Sequence, residues 1–68
     1  MTAKQAIARS ITQNEIVKLE GDPAELIELK EHCEDWVQNE DVFEFWGTTA
    51  LGGTWRVHFS LAAPDVNQ

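Results

Sequence analysis

The chain has little of what small proteins usually use to staple themselves together or to grip a charged polymer. It has one cysteine, Cys33. A lone thiol closes no internal disulfide and cannot build a zinc ribbon or finger, and its isolation fits a reducing, cytoplasmic compartment. Basic residues number five. Phosphate neutralisation dominates nucleic-acid affinity, so direct binding to DNA or RNA is not expected. No apolar run approaches the roughly 18 residues of a membrane span, so no membrane partner is expected. The opening "MTAKQAIARS" carries Lys4 and Arg9 but no apolar stretch of signal-peptide length. Glycines number four. Two of them sit in "LGGT", which lacks the lysine and the following helix of a phosphate loop and reads as a turn needing positive φ.

Length imposes a further limit. The 68 residues are expected to form a single domain over 1–68. A domain this small buries only about 60% of the surface its unfolded chain exposes. That leaves little room for an enclosed catalytic cavity. No enzyme activity, cofactor or metal is expected, and oligomerisation would be a natural route to further burial.

What the chain does have is acid and aromatic residues. Hydrophobic residues make up 43%, with three Trp and three Phe, which is a globular rather than a disordered profile. The net charge is −7, and it is unevenly spread. From Glu20 to Glu44 there are ten acidic residues against the single base Lys30, a local charge of −9 that leaves +2 elsewhere. Such asymmetry bears on partners rather than on fold.

"GDPAEL" stacks three helix-start signals: Asp22 as N-cap, Pro23 at the first helical position and Glu25 at the third. Leu26, Leu29, Cys33, Trp36 and Val37 continue with helical spacing, predicting a helix over about 23–37 that stops in "QNED". "VFEFWG" predicts a strand at about 42–47, and "TWRVHFSL" a second at 54–61. The two make a hairpin across "TTALGG". A two-stranded hairpin is marginal alone. The alternation in "EIVKLEG", with Val17 and Leu19 on one parity, supplies a third strand at about 15–20. "AKQAIARSI" has a weak helical pattern, followed by a turn at "TQN". Pro64 should end pairing near Leu61, leaving a tail over 62–68. The expected fold is α+β: a small β-α-β-β arrangement with a three-stranded antiparallel or mixed sheet and one amphipathic helix on one face.

Parity then assigns the tryptophans. Trp55, Val57, Phe59 and Leu61 share the core side. For Phe43 and Phe45 to join them, paired residue numbers in the hairpin must have an even sum. A sum of 102 sets Phe45 opposite Val57 and Phe43 opposite Phe59. Glu44 then meets His58, and Trp46 meets Arg56, on the reverse face. A Trp beside an Arg has the composition of an interface hot spot. The blander readings are a cross-strand cation–π pair and cover of this face by the N-terminal segment.

Glu25, Glu28, Glu31, Glu34 and Asp35 recur at three- and four-residue steps in the expected helix. Like charges at those steps destabilise it, and Glu34 and Asp35 lie at the end where the dipole disfavours acid. Broken local rules often mark function. The row could imitate a phosphate backbone, or simply solubilise the chain. Glu28, His32 and Asp35 share a side, but their spacing is a weak metal signal with no supporting shell. Two functional expectations follow. The first is a non-enzymatic acidic protein-binding module, such as an inhibitor encoded by a phage or plasmid. It would occupy a basic, nucleic-acid-handling surface through Glu25, Glu28, Glu31, Glu34, Asp35, Trp46, Arg56 and His58. The second is a homo-oligomeric accessory subunit, a homodimer in its simplest form, that buries the Trp46 face against a second copy.

Overall fold

A computed structural model describes residues 1–62. The order of elements is α1 (Ala3–Gln13), β1 (Ile16–Gly21), α2 (Pro23–His32), β2 (Asp35–Asn39), β3 (Val42–Thr48) and β4 (Thr54–Leu61). The strands form one mixed sheet in the order β1-β4-β3-β2. β1 runs parallel to β4, and β2–β3 and β3–β4 are antiparallel. The class is α+β as expected, but with two helices and four strands in place of one and three. The end of the expected tail, beyond Ala62, lies outside the described residues.

α1 begins with a capping box. Thr2 Oγ1 accepts from the Gln5 backbone N–H at 3.1 Å, and the Thr2 N–H donates to Gln5 Oε1 at 2.8 Å. Its buried stripe is Ala3, Ala6 and Ser10, small enough for the helix to lie close on β1 and β4. The helix ends at Asn14, whose left-handed φ of 54° turns the chain back. Ser10 locks this corner. Its hydroxyl donates to the Glu15 carbonyl at 2.7 Å and accepts from the Arg56 N–H on β4 at 2.8 Å. Among the described residues it is the buried polar side chain of the core.

α2 starts at Asp22 and Pro23 as the sequence predicts, with Asp22 Oδ1 accepting from the Glu25 N–H at 3.2 Å. It stops at His32, short of the predicted end near Val37. Cys33 is the cap, already extended at φ −80° and ψ 161°. The physical reason lies in the next residues. Acids at 34 and 35 oppose the helix dipole, whereas Trp36 and Val37 suit a strand and gain a pairing partner in β3. "DWVQN" is therefore β2, joined to β3 by the turn at Glu40 and Asp41. "QNED" holds the end of β2 and the hairpin turn, not a helix end.

The β3–β4 register agrees with the parity argument: Phe45 pairs with Val57, Phe43 with Phe59, Glu44 with His58 and Trp46 with Arg56. All core side chains point to one side. Val17, Leu19, Phe43, Phe45, Trp55, Val57 and Phe59 of the sheet meet Ala3, Ala6 and Leu29 of the helices, with Ile7, Leu26 and Cys33 packed at the margin. Gly47 lies under the indole of its cross-strand partner Trp55. A Cβ there would stand 2.6 Å from Trp55 Nε1, so only glycine lets the ring lie flat on the strand.

Candidate protein-interaction face

Both helices cover the same side of the sheet. α1 packs on β4 and β1, α2 touches β1, β3 and β4, and the helices touch each other. Among the described residues the opposite side carries no helix, and α1 does not cover it. Strand pairing arranges its side chains in three rows. The first runs Ile16, Arg56, Trp46, Asp35; the second Lys18, His58, Glu44, Val37; the third Glu20, Ser60, Val42, Asn39.

Two features of this face stand out. One is apolar exposure: Ile16, Val37 and Val42 are 43%, 48% and 38% exposed, and Trp46 is half-buried among its neighbours. Val37 stands diagonal to both Trp46 and Val42 on this face, and Ile16 lies apart at the β1 edge. The other is the distribution of charge. Lys18, Arg56 and His58 stand on β1 and β4, and Asp35 and Glu44 on β2 and β3. At the centre His58 Nε2 lies 3.6 Å from Glu44 Oε1. Trp46 sits between Arg56 on one strand and Asp35 on the other. The ammonium that lies over an indole is instead that of Lys30, 4.4 Å from the Trp36 ring on the covered side.

The acidic row expected on one helix face is dispersed. Glu25 Oε1 accepts from the Ala3 N–H at 2.6 Å, placing a carboxylate at the positive end of α1. Glu28 pairs with Lys4 Nζ at 3.6 Å. These two acids join α2 to α1. Glu31 stays exposed on α2. Glu34 lies beyond the helix and accepts from the Thr48 hydroxyl, while its N–H donates to the Trp46 carbonyl at 2.9 Å. Asp35 belongs to β2, opposite Trp46. The apparent helical periodicity therefore crosses an element boundary, and the acids that would be unfavourable in a helix lie where the helix stops.

The structure does not gather Glu28, His32 and Asp35 into one cluster. His32 Nδ1 sits 2.9 Å from the Glu28 carbonyl oxygen, at the end of α2, and Asp35 is on the next strand. Burial pushes the Cys33 thiol up, with the nearby Asp35 carboxylate acting in the same direction, so it stays protonated near neutral pH and is a poor nucleophile. Its Sγ donates to the Lys30 carbonyl at 3.5 Å.

Trp46, Arg56 and His58 thus fall together on one face, and Asp35 joins them from an unexpected strand. Ile16, Lys18 and Val37 also belong to the face, although sequence reasoning does not single them out as site residues. The alternation of residues 16–19 is a usable signal for the first two. Val37 is hidden by its helical spacing. No helix among the described residues is long and apolar enough to cross a membrane. No family model, curated protein or solved structure matches the chain.

Proposed function

We propose that this chain is a non-enzymatic protein-binding module whose interaction surface is the open face of the sheet, centred on Trp46. One observation carries the reading: both helices lie on one side, and the other side presents Ile16, Val37, Val42 and Trp46 among charged neighbours. A Trp flanked by an Arg and a carboxylate offers a flat apolar anchor with polar groups around it, the usual make-up of an interface centre. The dispersal of the acidic row shifts weight away from α2 as the contact surface, because Glu25 and Glu28 already serve the packing of α1.

The charge of −9 over residues 20–44 favours a second reading. A partner with a basic surface, such as a nucleic-acid-handling protein inhibited by this chain, would be approached through Glu31, Glu40 and Asp41. Binding of that kind weakens steeply with added salt.

Photo-crosslinking in the source cells separates the two. A crosslinking residue at position 46 should capture a protein and one at position 31 should not. Capture at 31 alone would support the acidic-surface reading and overturn the open-face one.

A further inference from the structure

The open face carries a charge pattern that selects its own partner. Its basic groups, Lys18, Arg56 and His58, occupy the β1–β4 half, and its acids Glu44 and Asp35 occupy the β3–β2 half. Glu20 at the far end of β1 is the exception. We infer that the occupant of this face is a second copy of the chain, packed sheet against sheet about a two-fold axis that runs along the strands between β4 and β3. The inference rests on the open-face reading and names its partner.

In an aligned packing two sheets keep their strand directions within about 30° of each other. A two-fold axis lying in the interface can run either along the strands or across them. Along the strands, it exchanges the two halves of the face, so β4 of one copy lies over β3 of the other and β1 over β2. Rows stay in register. Arg56 then lies over the second copy's Trp46, His58 over its Glu44 and Lys18 over its Val37, and each contact occurs twice. Glu20, the misplaced acid, meets the neutral Asn39. No like charges face each other. Across the strands, the axis lays each strand over itself. With the axis through the middle row, Glu44 meets Glu44 and Lys18 meets Lys18. Like charges so placed oppose association strongly. The first arrangement is isologous and closed, and so ends at a dimer.

The same arrangement sets an Arg56 guanidinium over Trp46 from the second copy, whereas within the chain Arg56 is its side-by-side strand neighbour. It also supplies the burial that a chain of this length needs.

The test is a charge exchange across the axis, read by sedimentation equilibrium on the whole chain. Wild type should be a dimer. Glu44→Lys alone sets lysine against His58, and His58→Glu alone sets glutamate against Glu44. Each should weaken self-association by about tenfold or more. An equimolar mixture of the two variants should form a heterodimer close to wild-type affinity. One of its two central contacts sets the introduced lysine of one variant over the introduced glutamate of the other, and the second contact is native. Recovery in the mixture also shows that both variants fold. A dimer indifferent to both substitutions, or a mixture that stays monomeric while both variants keep native circular dichroism, would overturn the proposal. A monomeric wild type whose position 46 crosslinks to a different protein would overturn self-pairing and leave the open-face reading standing. A monomer with no crosslink at 46 would overturn both.

Discussion

The two sides of this sheet are built from the same strands, residue by residue in alternation, yet they obey different rules. On the covered side Phe45, Val57 and Phe59 are 1%, 0% and 0% exposed, and contacts are set by shape: an indole on a glycine, a helix brought close by alanines. On the open side their sequence neighbours Glu44, Trp46, Arg56 and His58 are half-buried or exposed, and contacts are set by charge. The covered side accounts for the fold. The open side places aromatic and β-branched residues where the fold does not need them, which is the difference a partner would explain.

Neighbouring residues on β4 offer the sharpest way to break this contrast. Phe59→Ala should cost about 3–5 kcal/mol of stability by chemical denaturation, the range for a fully buried Phe. His58→Ala, one residue earlier, should stay within about 0.5 kcal/mol in dilute protein. Comparable losses at both positions would mean that the open side belongs to the core.

Ser10→Ala comes next, at about 1–3 kcal/mol. It strands the Arg56 N–H and frees the Glu15 carbonyl, and the cost of an unsatisfied buried donor lies in that range. Gly47→Ala should cost a similar amount, about 1–3 kcal/mol, because the Trp55 ring must move off the strand. Its readout is the near-ultraviolet circular dichroism of that indole as well as the unfolding midpoint.

The smallest effect has the opposite sign. Glu40 holds a φ of 58° in the β2–β3 turn, a region that favours glycine. Glu40→Gly should raise stability by about 0.5–1 kcal/mol in the same denaturation assay, with relief of strain outweighing the added freedom of the unfolded chain. A loss would show that the φ of Glu40 holds no strain that glycine relieves.

Much of this is legible in the residues. Alternation in "TWRVHFSL" and "VFEFWG", with the requirement that Glu44 stay out of the core, leads to the register that pairs Trp46 with Arg56. Alternation at Val17 and Leu19 leads to β1. The start of α2 is written in "GDPAEL". Its end is not, because Leu26, Leu29, Cys33 and Trp36 keep helical spacing through a change of structure. Trp36 reaches the same core side from a strand as it would from a helix, lying 5.9 Å and 6.1 Å from Phe43 and Phe45. The acids at 34 and 35 are the available warning, but a broken helix rule reads equally as a sign of function. α1 is faint for another reason. Its buried stripe is Ala, Ala and Ser, too weakly apolar to announce a core helix, although Thr2 and Gln5 spell a capping box. Asp35 and Val37 reach the open face only because β2 exists, and pairing with β3 is a non-local event that periodicity does not carry.

The central claim, that the open face is where this chain meets a second copy, is most directly tested by the indole resonances of its three tryptophans during dilution. Trp46 lies on the open face, Trp36 lies beneath Lys30 on the covered side, and Trp55 is buried on Gly47. Dilution from high to low protein concentration should shift the Trp46 indole N–H signal, leave Trp55 unchanged and move Trp36 little. A Trp46 signal that does not change with concentration, or a shift confined to Trp36, would contradict the account.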